Sequence, residues 1–293
     1  MLRSMSPASR FVGVCGSARP RSVRILVLLA CLTAFAFVAA PADAASKHLF
    51  WAGYSDDTIG RSSLNGDNAD PNFITGAGST PCGDIAVAKG YVYWSAYDDD
   101  TIGRAKLNGN GVNPNFITGT SGGCGVAVRG KHLYWANYDD GTVGRAKTKG
   151  TQVRQDFISG GSSPCGIAVD KQHIYWGDSG ASTVARANLD GTHVHRNFIP
   201  NAGTCYGVDV DSEHVYWTNY DDNATGRAKL DGTHVRRQFI PGGNFACGLA
   251  ITSKNIFWSN YADGDIGKAK LNGSNVDQSF VADAPDNCGL GIG

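Results

Sequence analysis

Residues 132–169 read HLYWANYDDGTVGRAKTKGTQVRQDFISGGSSPCGIAV, and this stretch decides the fold. It holds four short runs of β-prone residues separated by turn residues, which is the pattern of consecutive strands. The first two runs meet at Asp139-Asp140-Gly141, a strong hairpin signal. The runs lie at 132–135, 142–147, 153–158 and 166–169. The stretch therefore predicts a unit of four antiparallel strands.

The same unit recurs six times, with steps of 43, 41, 41, 41 and 41 between its tryptophans. Four strands in about 40–45 residues are typical of one β-propeller blade. A helical repeat is excluded because no copy places apolar residues at i, i+3, i+4 and i+7 over a helical length. The tryptophans are Trp51, Trp94, Trp135, Trp176, Trp217 and Trp258. We therefore predict an all-β, six-bladed β-propeller with four-stranded antiparallel blades.

The two ends of the repeat region predict how the ring closes. The first copy begins at a Tyr-Trp-type strand, 48–51, without an inner strand before it. The last copy ends in an inner strand, 288–292, that has no partner after it. Since unpaired backbone groups near a core are costly, we expect residues 288–292 to complete the first blade.

Residues 1–44 differ from the repeats and predict a secretory signal peptide, which leaves a propeller domain over 45–293. An arginine-rich start precedes an apolar run over 25–40 and the cleavage pattern Ala42-Asp43-Ala44. A membrane anchor is the first alternative, but the run is shorter than the roughly 20 residues of a spanning helix. A lipoprotein is the second alternative, because Leu28-Leu29-Ala30-Cys31 loosely resembles a lipobox. We expect a secreted or cell-surface protein without a transmembrane segment after signal removal.

Charge and composition narrow the function. Removing residues 1–44 takes away five Arg and one Asp, so the remainder carries 21 basic and 25 acidic side chains, or −4. This balance argues against a nucleic-acid-binding protein, which would be strongly basic. Glu213 is the only glutamate, whereas aspartate, a turn-favouring residue, is abundant.

Several spaced motifs resemble the YWTD repeat of the low-density lipoprotein receptor class B family. The segments that carry the resemblance are Tyr134-Trp135-Ala136-Asn137, Tyr175-Trp176-Gly177-Asp178 and Tyr216-Trp217-Thr218-Asn219, each followed by a Gly/Ala-Arg-Ala strand. The resemblance covers residues 48–292 and implies a six-bladed propeller that binds extracellular partners. The motif's aspartate survives only as Asp178, and each repeat adds a cysteine before its inner strand.

Two sets of residues are candidates for a binding site. The first consists of tyrosines followed by aspartates in turns, which strand alternation places at one end of the propeller; Tyr97, Tyr138 and Tyr220 represent it. The second consists of departures from the repeat between Trp176 and Trp217: Asp178, Tyr206 where other copies have glycine, and Asp209 where they have a small residue. Ordinary solvated turns and a channel-solvated Asp209 are the structural alternatives.

Symmetry predicts that the cysteines form a ring at one mouth of the channel. They are Cys82, Cys124, Cys165, Cys205, Cys247 and Cys288. Export favours disulfides between adjacent blades, whereas the distance between blades, or use of the thiol as a small apolar side chain, favours free cysteines. The strand arginines, Arg145 and its equivalents, are expected to form a structural ladder with nearby aspartates.

The leading functional hypothesis is a monomeric, non-enzymatic binding or scaffold protein for an extracellular protein or glycan. No catalytic residues, metal site or cofactor are predicted, because the inner strands offer Asp209, Asp84 and little else, with neither Glu nor His. One alternative is a propeller hydrolase or lyase resembling the gluconolactonase or streptogramin lyase groups. The other is a carbohydrate-binding, lectin-like propeller that uses its tyrosines and aspartates.

Overall fold

The computed structural model describes residues 47–293, and they form six four-stranded antiparallel sheets. The predicted signal segment, with Cys31, lies outside the described residues and stays a prediction. Blade 1 contains β1 (His48–Gly53), β2 (Thr58–Ser63) and β3 (Asp70–Thr75). Blade 2 contains β4 (Pro81–Ala88), β5 (Tyr91–Ala96), β6 (Thr101–Lys106) and β7 (Asn113–Thr118), and blade 3 contains β8 (Gly123–Arg129), β9 (His132–Asn137), β10 (Thr142–Lys147) and β11 (Arg154–Ile158).

Blades 4 to 6 repeat this order. Blade 4 contains β12 (Pro164–Val169), β13 (His173–Asp178), β14 (Thr183–Asn188) and β15 (His195–Ile199), with one 3-10 turn at Ser179–Ala181. Blade 5 contains β16 (Val208–Val210), β17 (His214–Asn219), β18 (Ala224–Lys229) and β19 (Arg236–Pro241). Blade 6 contains β20 (Ala246–Ile251), β21 (Asn255–Asn260), β22 (Asp265–Lys270) and β23 (Asp277–Val281), and the chain ends with β24 (Asn287–Ile292).

The last strand closes the ring, which confirms the six-bladed fold and its predicted closure. β24 pairs antiparallel with β1, so blade 1 has the strand order β24-β1-β2-β3. Trp51 lies opposite Leu290 in this pairing. Beyond the strands, the N–H of His48 donates to Gly293 at 2.6 Å and the N–H of Gly293 donates to His48 at 3.0 Å. The two ends of the described chain are therefore joined.

Tryptophan fixes the packing of each blade. All six tryptophan side chains are fully buried, and each lies opposite a small residue of the next strand, as Trp135 lies opposite Gly144. A Cβ atom on Gly144 would overlap the Trp135 ring. In blade 4 the small residue is alanine rather than glycine, since Ala185 faces Trp176 there. The shared aromatic pairs are thus core residues.

The strand arginines stack on phenylalanine rather than pairing with aspartate. Arg145 lies 3.9 Å from the centre of the Phe157 ring, and Arg186 lies 4.2 Å from that of Phe198. Arg186 also donates to the Leu230 carbonyl of blade 5 at 2.8 Å. Between residues 47 and 293, the ion pairs found are two histidine–aspartate contacts, so the predicted arginine–aspartate ladder is wrong. Neighbouring blades are linked instead by an arginine that stacks on a phenylalanine ring and donates a hydrogen bond to a carbonyl of the next blade.

Six glycines close the channel. They follow the cysteines, and a Cβ added to any of them would meet the next blade's glycine or the residues beside it. The glycine ring, as we name it, consists of Gly83, Gly125, Gly166, Gly207, Gly248 and Gly289. Because backbone touches backbone around the axis, no side chain fits there. The ring divides the channel into two compartments, one at each mouth.

Candidate functional site

The connections between strands are divided between two faces of the propeller. One face carries the turn that joins the second and third strands of each blade, such as 97–100, and the loop that enters each inner strand, such as 119–122. We call it the tyrosine face. The tyrosines of the predicted turns all lie on it, as strand alternation indicated.

A pit opens at the centre of the tyrosine face. Its volume is about 370 Å³, and its wall consists of one tyrosine for each of the six blade positions. These are Tyr54, Tyr97, Tyr138, Tyr206, Tyr220 and Tyr261. Their rings form edge-to-face pairs, with centroids 6.1 Å apart for Tyr97 and Tyr138 and 5.3 Å apart for Tyr206 and Tyr220. The structure therefore brings together four of the predicted site residues, with Tyr54 and Tyr261 beside them.

Tyr206 occupies the position that blade 4 leaves open. Blade 4 has Ser179 where the other blades have their turn tyrosine. Burial raises the pKa of Tyr206 to about 12, and both Tyr138 and Tyr220, its neighbours on either side, contribute to this shift. The prediction that Tyr206 stands in place of a glycine is wrong, because Gly207 occupies that position in the glycine ring. It is an inserted residue that completes the tyrosine wall.

Cysteines form the floor of the pit. Four of them line it, and the fully buried Cys165 packs in the same cluster, so five of the six repeat cysteines gather there. Cys124 is bonded to Cys165, and Cys247 to Cys288, each pair bridging adjacent blades. Their Cα atoms are 4.8 and 5.1 Å apart. Cys82 is free and buried, with its sulfur 3.6 Å from that of Cys124.

Cys205 is displaced from the predicted ring. It packs in the core between blades 4 and 5, and its thiol donates to the Gly203 carbonyl at 3.2 Å. The insertion of Tyr206 between Cys205 and Gly207 explains this, since the extra residue moves the cysteine away from the axis. An odd number of sulfurs thus remains around the pit, and one of them has no partner cysteine.

We expect two free thiols among the six repeat cysteines, at Cys82 and Cys205, both unreactive in the folded protein. Burial raises the pKa of Cys82 to about 12 and also raises the pKa of Cys205, so almost no thiolate exists at neutral pH. Alkylation followed by mass spectrometry should label neither in native protein and both after unfolding without reductant. A Cys82→Ser protein should then show one label, and labelling of Cys124 or Cys247 in unreduced protein would contradict the pairing.

The rim of the pit is acidic. The loops of the tyrosine face contain twelve aspartates and no Lys, Arg or His. The aspartates are Asp56, Asp57, Asp98, Asp99, Asp100, Asp139, Asp140, Asp221, Asp222, Asp263, Asp283 and Asp286. Some of them hold the loops, as where Asp99 accepts the Ser79 N–H at 2.8 Å, and Tyr97 donates its hydroxyl to Asp139 at 2.8 Å. The pit is therefore aromatic inside and negatively charged around its mouth.

Two predicted site residues lie outside the pit. Asp178 is buried behind the rim and accepts the Ser162 N–H at 2.6 Å, as the equivalent Asn260 accepts the Asn244 N–H at 3.2 Å. Asp209 lies beyond the glycine ring, in a cavity of about 180 Å³ at the other mouth. Its carboxylate accepts the Ile251 N–H of blade 6 at 2.8 Å, and burial raises its pKa to about 7. Both carboxylates hold backbone groups in place.

Asp84 fills the axis beside the glycine ring. It is an extra residue between Gly83 and Ile85, at a register shift of β4. Its two oxygens accept the N–H groups of Val208 at 2.9 Å and Leu249 at 3.1 Å, which belong to blades 5 and 6. Burial raises its pKa well above the usual value. Asp84 thus links blade 2 across the channel to the opposite side of the ring.

Candidate metal ligands converge at one place in the described range. The sulfurs of Cys82, Cys124 and Cys165 lie within 4.8 Å of one another, and two of them share a disulfide.

Between residues 47 and 293, no helix is long and apolar enough to span a bilayer.

No protein-family model and no curated protein matches the chain. Several solved structures are similar to the chain. A chain in the crystal structure of a nidogen/laminin complex is 21% identical, with a TM-score of 0.73 over 84% of this chain and 98% of that one. A streptogramin B lyase is 14% identical, with a TM-score of 0.59 over 82% of each chain.

A second lyase structure is also similar. It is virginiamycin B lyase from Staphylococcus aureus, crystallised with quinupristin as a catalytically inactive histidine-to-alanine variant, and it is 13% identical with a TM-score of 0.57 over 80% of each chain. These identities are low and the likeness is one of fold. The chain is a six-bladed β-propeller, and its resemblance to YWTD-type propellers is confirmed at the level of that fold.

Proposed function

We propose that this chain is a non-enzymatic, extracellular binding protein whose tyrosine face holds a protein partner. One observation carries the proposal: a complete tyrosine wall surrounds a pit at the centre of a face whose loops carry aspartates. Tyrosine gives a large, rigid contact area with a polar tip, and aromatic side chains dominate the energetics of binding surfaces. The nidogen/laminin structure contains a similar propeller in a protein complex, which supports a protein partner.

The chemistry of the pit favours binding over catalysis. A hydrolase or lyase needs a nucleophile or base with matched pKa and a partner that orients it. Burial raises the pKa values of the Cys82 thiol and of the Tyr206 phenol to about 12, so both stay protonated at neutral pH. The similar lyase loses activity when a histidine is replaced, whereas the described loops of the tyrosine face contain no histidine.

The extracellular location rests on the predicted signal peptide over 1–44. The two disulfides on the pit floor support it, because such bonds persist in oxidising compartments. We expect the exported propeller to act as a monomer.

The test is capture of the partner from the native extracellular fraction with matched variants. A Tyr97→Ser/Tyr220→Ser protein should lose at least about 10-fold of the captured partner, as expected when aromatic anchors are removed. Serine is tolerated at the equivalent position, since blade 4 carries Ser179 there.

A Lys131→Ser/Lys254→Ser protein is the matched control, because both lysines are exposed in turns of the opposite face. It should capture as much partner as the unaltered protein. Equal capture by all three proteins would show that the pit is not the binding site.

A further inference from the structure

Charge is distributed unequally between the two faces. The tyrosine face has twelve aspartates and no basic residue in its loops, whereas the opposite face mixes both signs. Basic groups reach the tyrosine face from the outer strands, where Arg196 and Arg237 donate to loop carbonyls away from the pit lining. The basic residues in and beside the turns of that opposite face include Lys89, Arg129, Lys131, Lys147, Lys149, Lys171, Lys229, Lys254 and Lys270. A concave site surrounded by charge of one sign attracts ligands of the other sign. The pit is therefore placed in a field that draws cations.

The arrangement of the rim does not suit a hard metal ion. Calcium and magnesium need several oxygen ligands that converge on one point. Between residues 47 and 293, the one group of three converging metal-type ligands is the cysteine cluster, so the rim carboxylates do not form such a set. Several of them are occupied with loop N–H groups, as Asp57 is with Thr80 and Asp100 with Gly122. The rim carboxylates therefore contribute an attractive field for cations rather than ligands for a metal ion.

The lining of the pit suits a cation of another kind. Aromatic rings attract organic cations through their π faces, and the attraction grows when the cation loses water. Phenol oxygens add hydrogen-bond acceptors for N–H groups. Burial, with added repulsion from nearby groups that include Asp98 for Tyr54 and Asp286 for Tyr261, raises the pKa values of these tyrosines. These two rings thus stay neutral and electron-rich.

The volume limits the size of the ligand. About 370 Å³ is at the low end of the roughly 300–1,000 Å³ of small-molecule sites. The disulfides and the free Cys82 form a closed floor, and the glycine ring lies below it. A pit of this volume with a closed floor suits a side chain that projects into it from the surface of a partner.

We propose that the pit binds the cationic end of a lysine or arginine side chain that projects from the protein partner. This rests on the proposed function and names the chemistry that its site recognises. The aliphatic stem contacts the tyrosine rings, the ammonium or guanidinium group lies against the rings and phenol oxygens, and the aspartates of the rim steer the side chain in. A neutral or acidic side chain gains none of these interactions.

The test uses an acetylated and amidated pentapeptide, Ala-Ala-Lys-Ala-Ala, with ligand-observed nuclear magnetic resonance as readout. The same peptide with acetyl-lysine is the matched neutral probe. We expect the lysine peptide to bind at least about 10-fold more tightly than the acetyl-lysine peptide, since only the former carries the cation. Its affinity should fall as salt is raised, because the rim is exposed to solvent.

Variants separate the parts of the site. Tyr97→Ser/Tyr220→Ser should lose at least about 10-fold in affinity for the lysine peptide. Asp56→Asn/Asp140→Asn, at two exposed rim positions, should lose less and flatten the salt dependence. Glu213→Gln, an exposed acid on the opposite face, is the control and should change nothing.

Three outcomes overturn the proposal. They are equal binding of the two peptides, unchanged binding by the tyrosine variant, and binding of free tetramethylammonium without binding of the lysine peptide. If partner capture still depends on the tyrosines while the lysine peptide does not bind, the proposed function stands and the cationic ligand is wrong. If neither depends on the tyrosines, both are wrong.

Discussion

A protein lacking residues 288–293 should melt at least about 10 °C below the full chain, or fail to fold. The deletion removes most of β24, and with it the pairing to β1, the buried Leu290 and the bond to Cys247. A buried leucine and a disulfide each contribute roughly 2–5 kcal/mol, and a loss of 1 kcal/mol lowers the melting temperature by about 2–4 °C in a protein of this size. Thermal unfolding followed by circular dichroism measures the effect.

Two controls separate closure from its parts. A Cys288→Ser protein keeps the strand and loses the disulfide, so it should fall between the deletion and the full chain. A synthetic peptide of residues 287–293, added to the truncated protein, should restore part of the lost stability by pairing with β1. A truncated protein that melts with the full chain would refute closure by β24.

Gly248→Ala should lower the melting temperature by about 5 °C or more. Its new Cβ atom would lie 2.5 Å from the Cα atom of Gly289, against backbone that cannot move without opening the glycine ring. Gly248 does not have the positive φ that penalises other glycines of the ring, so the effect reports the contact alone.

Gly243→Ala is the matched control, because its Cβ atom would meet a side chain first, Ala246 at 3.2 Å, and has no backbone atom closer than 3.5 Å. We expect it to melt within about 2 °C of the unaltered protein. If Gly248→Ala behaves in the same way, the glycine ring is not tightly packed.

The fold could be predicted from the sequence because the tryptophan period marks six blades. Its closure could be predicted because the first copy lacks an inner strand and the last copy ends in one. The single-residue insertions of Asp84 and Tyr206 were not predicted. Comparing Tyr206 with the residue after each cysteine makes it look like a substitution of glycine. The signal was present in the spacing. From cysteine to the next tryptophan there are 12 positions in the copies with Asp84 and Tyr206, as between Cys205 and Trp217, and 11 in copies such as Cys165 to Trp176.

The site was predicted in part. Strand alternation predicts Tyr97, Tyr138 and Tyr220 on one face, and the structure brings Tyr206, predicted separately as a departure from the repeat, into the same pit. Asp178 and Asp209 stood out as departures from the repeat, but both accept backbone N–H groups inside the fold. In the sequence, a carboxylate that accepts backbone N–H groups cannot be distinguished from one that binds a ligand. The cysteine pairing could not be predicted from symmetry, because symmetry treats the six cysteines as equivalent and Cys205 is displaced into the core.

The junction of the chain ends has a consequence for how the molecule can be attached to a surface. β1 runs from His48 toward Tyr54, so residues 48 and 293, which bond to each other, lie on the side away from the pit. A tether joined at residue 48 or at residue 293 would leave from the face opposite the pit, so the tyrosines would point away from the support in both cases. Either end is therefore suited to immobilising the protein on a sensor without obstructing the pit, and a short peptide linking the two would give a circular chain.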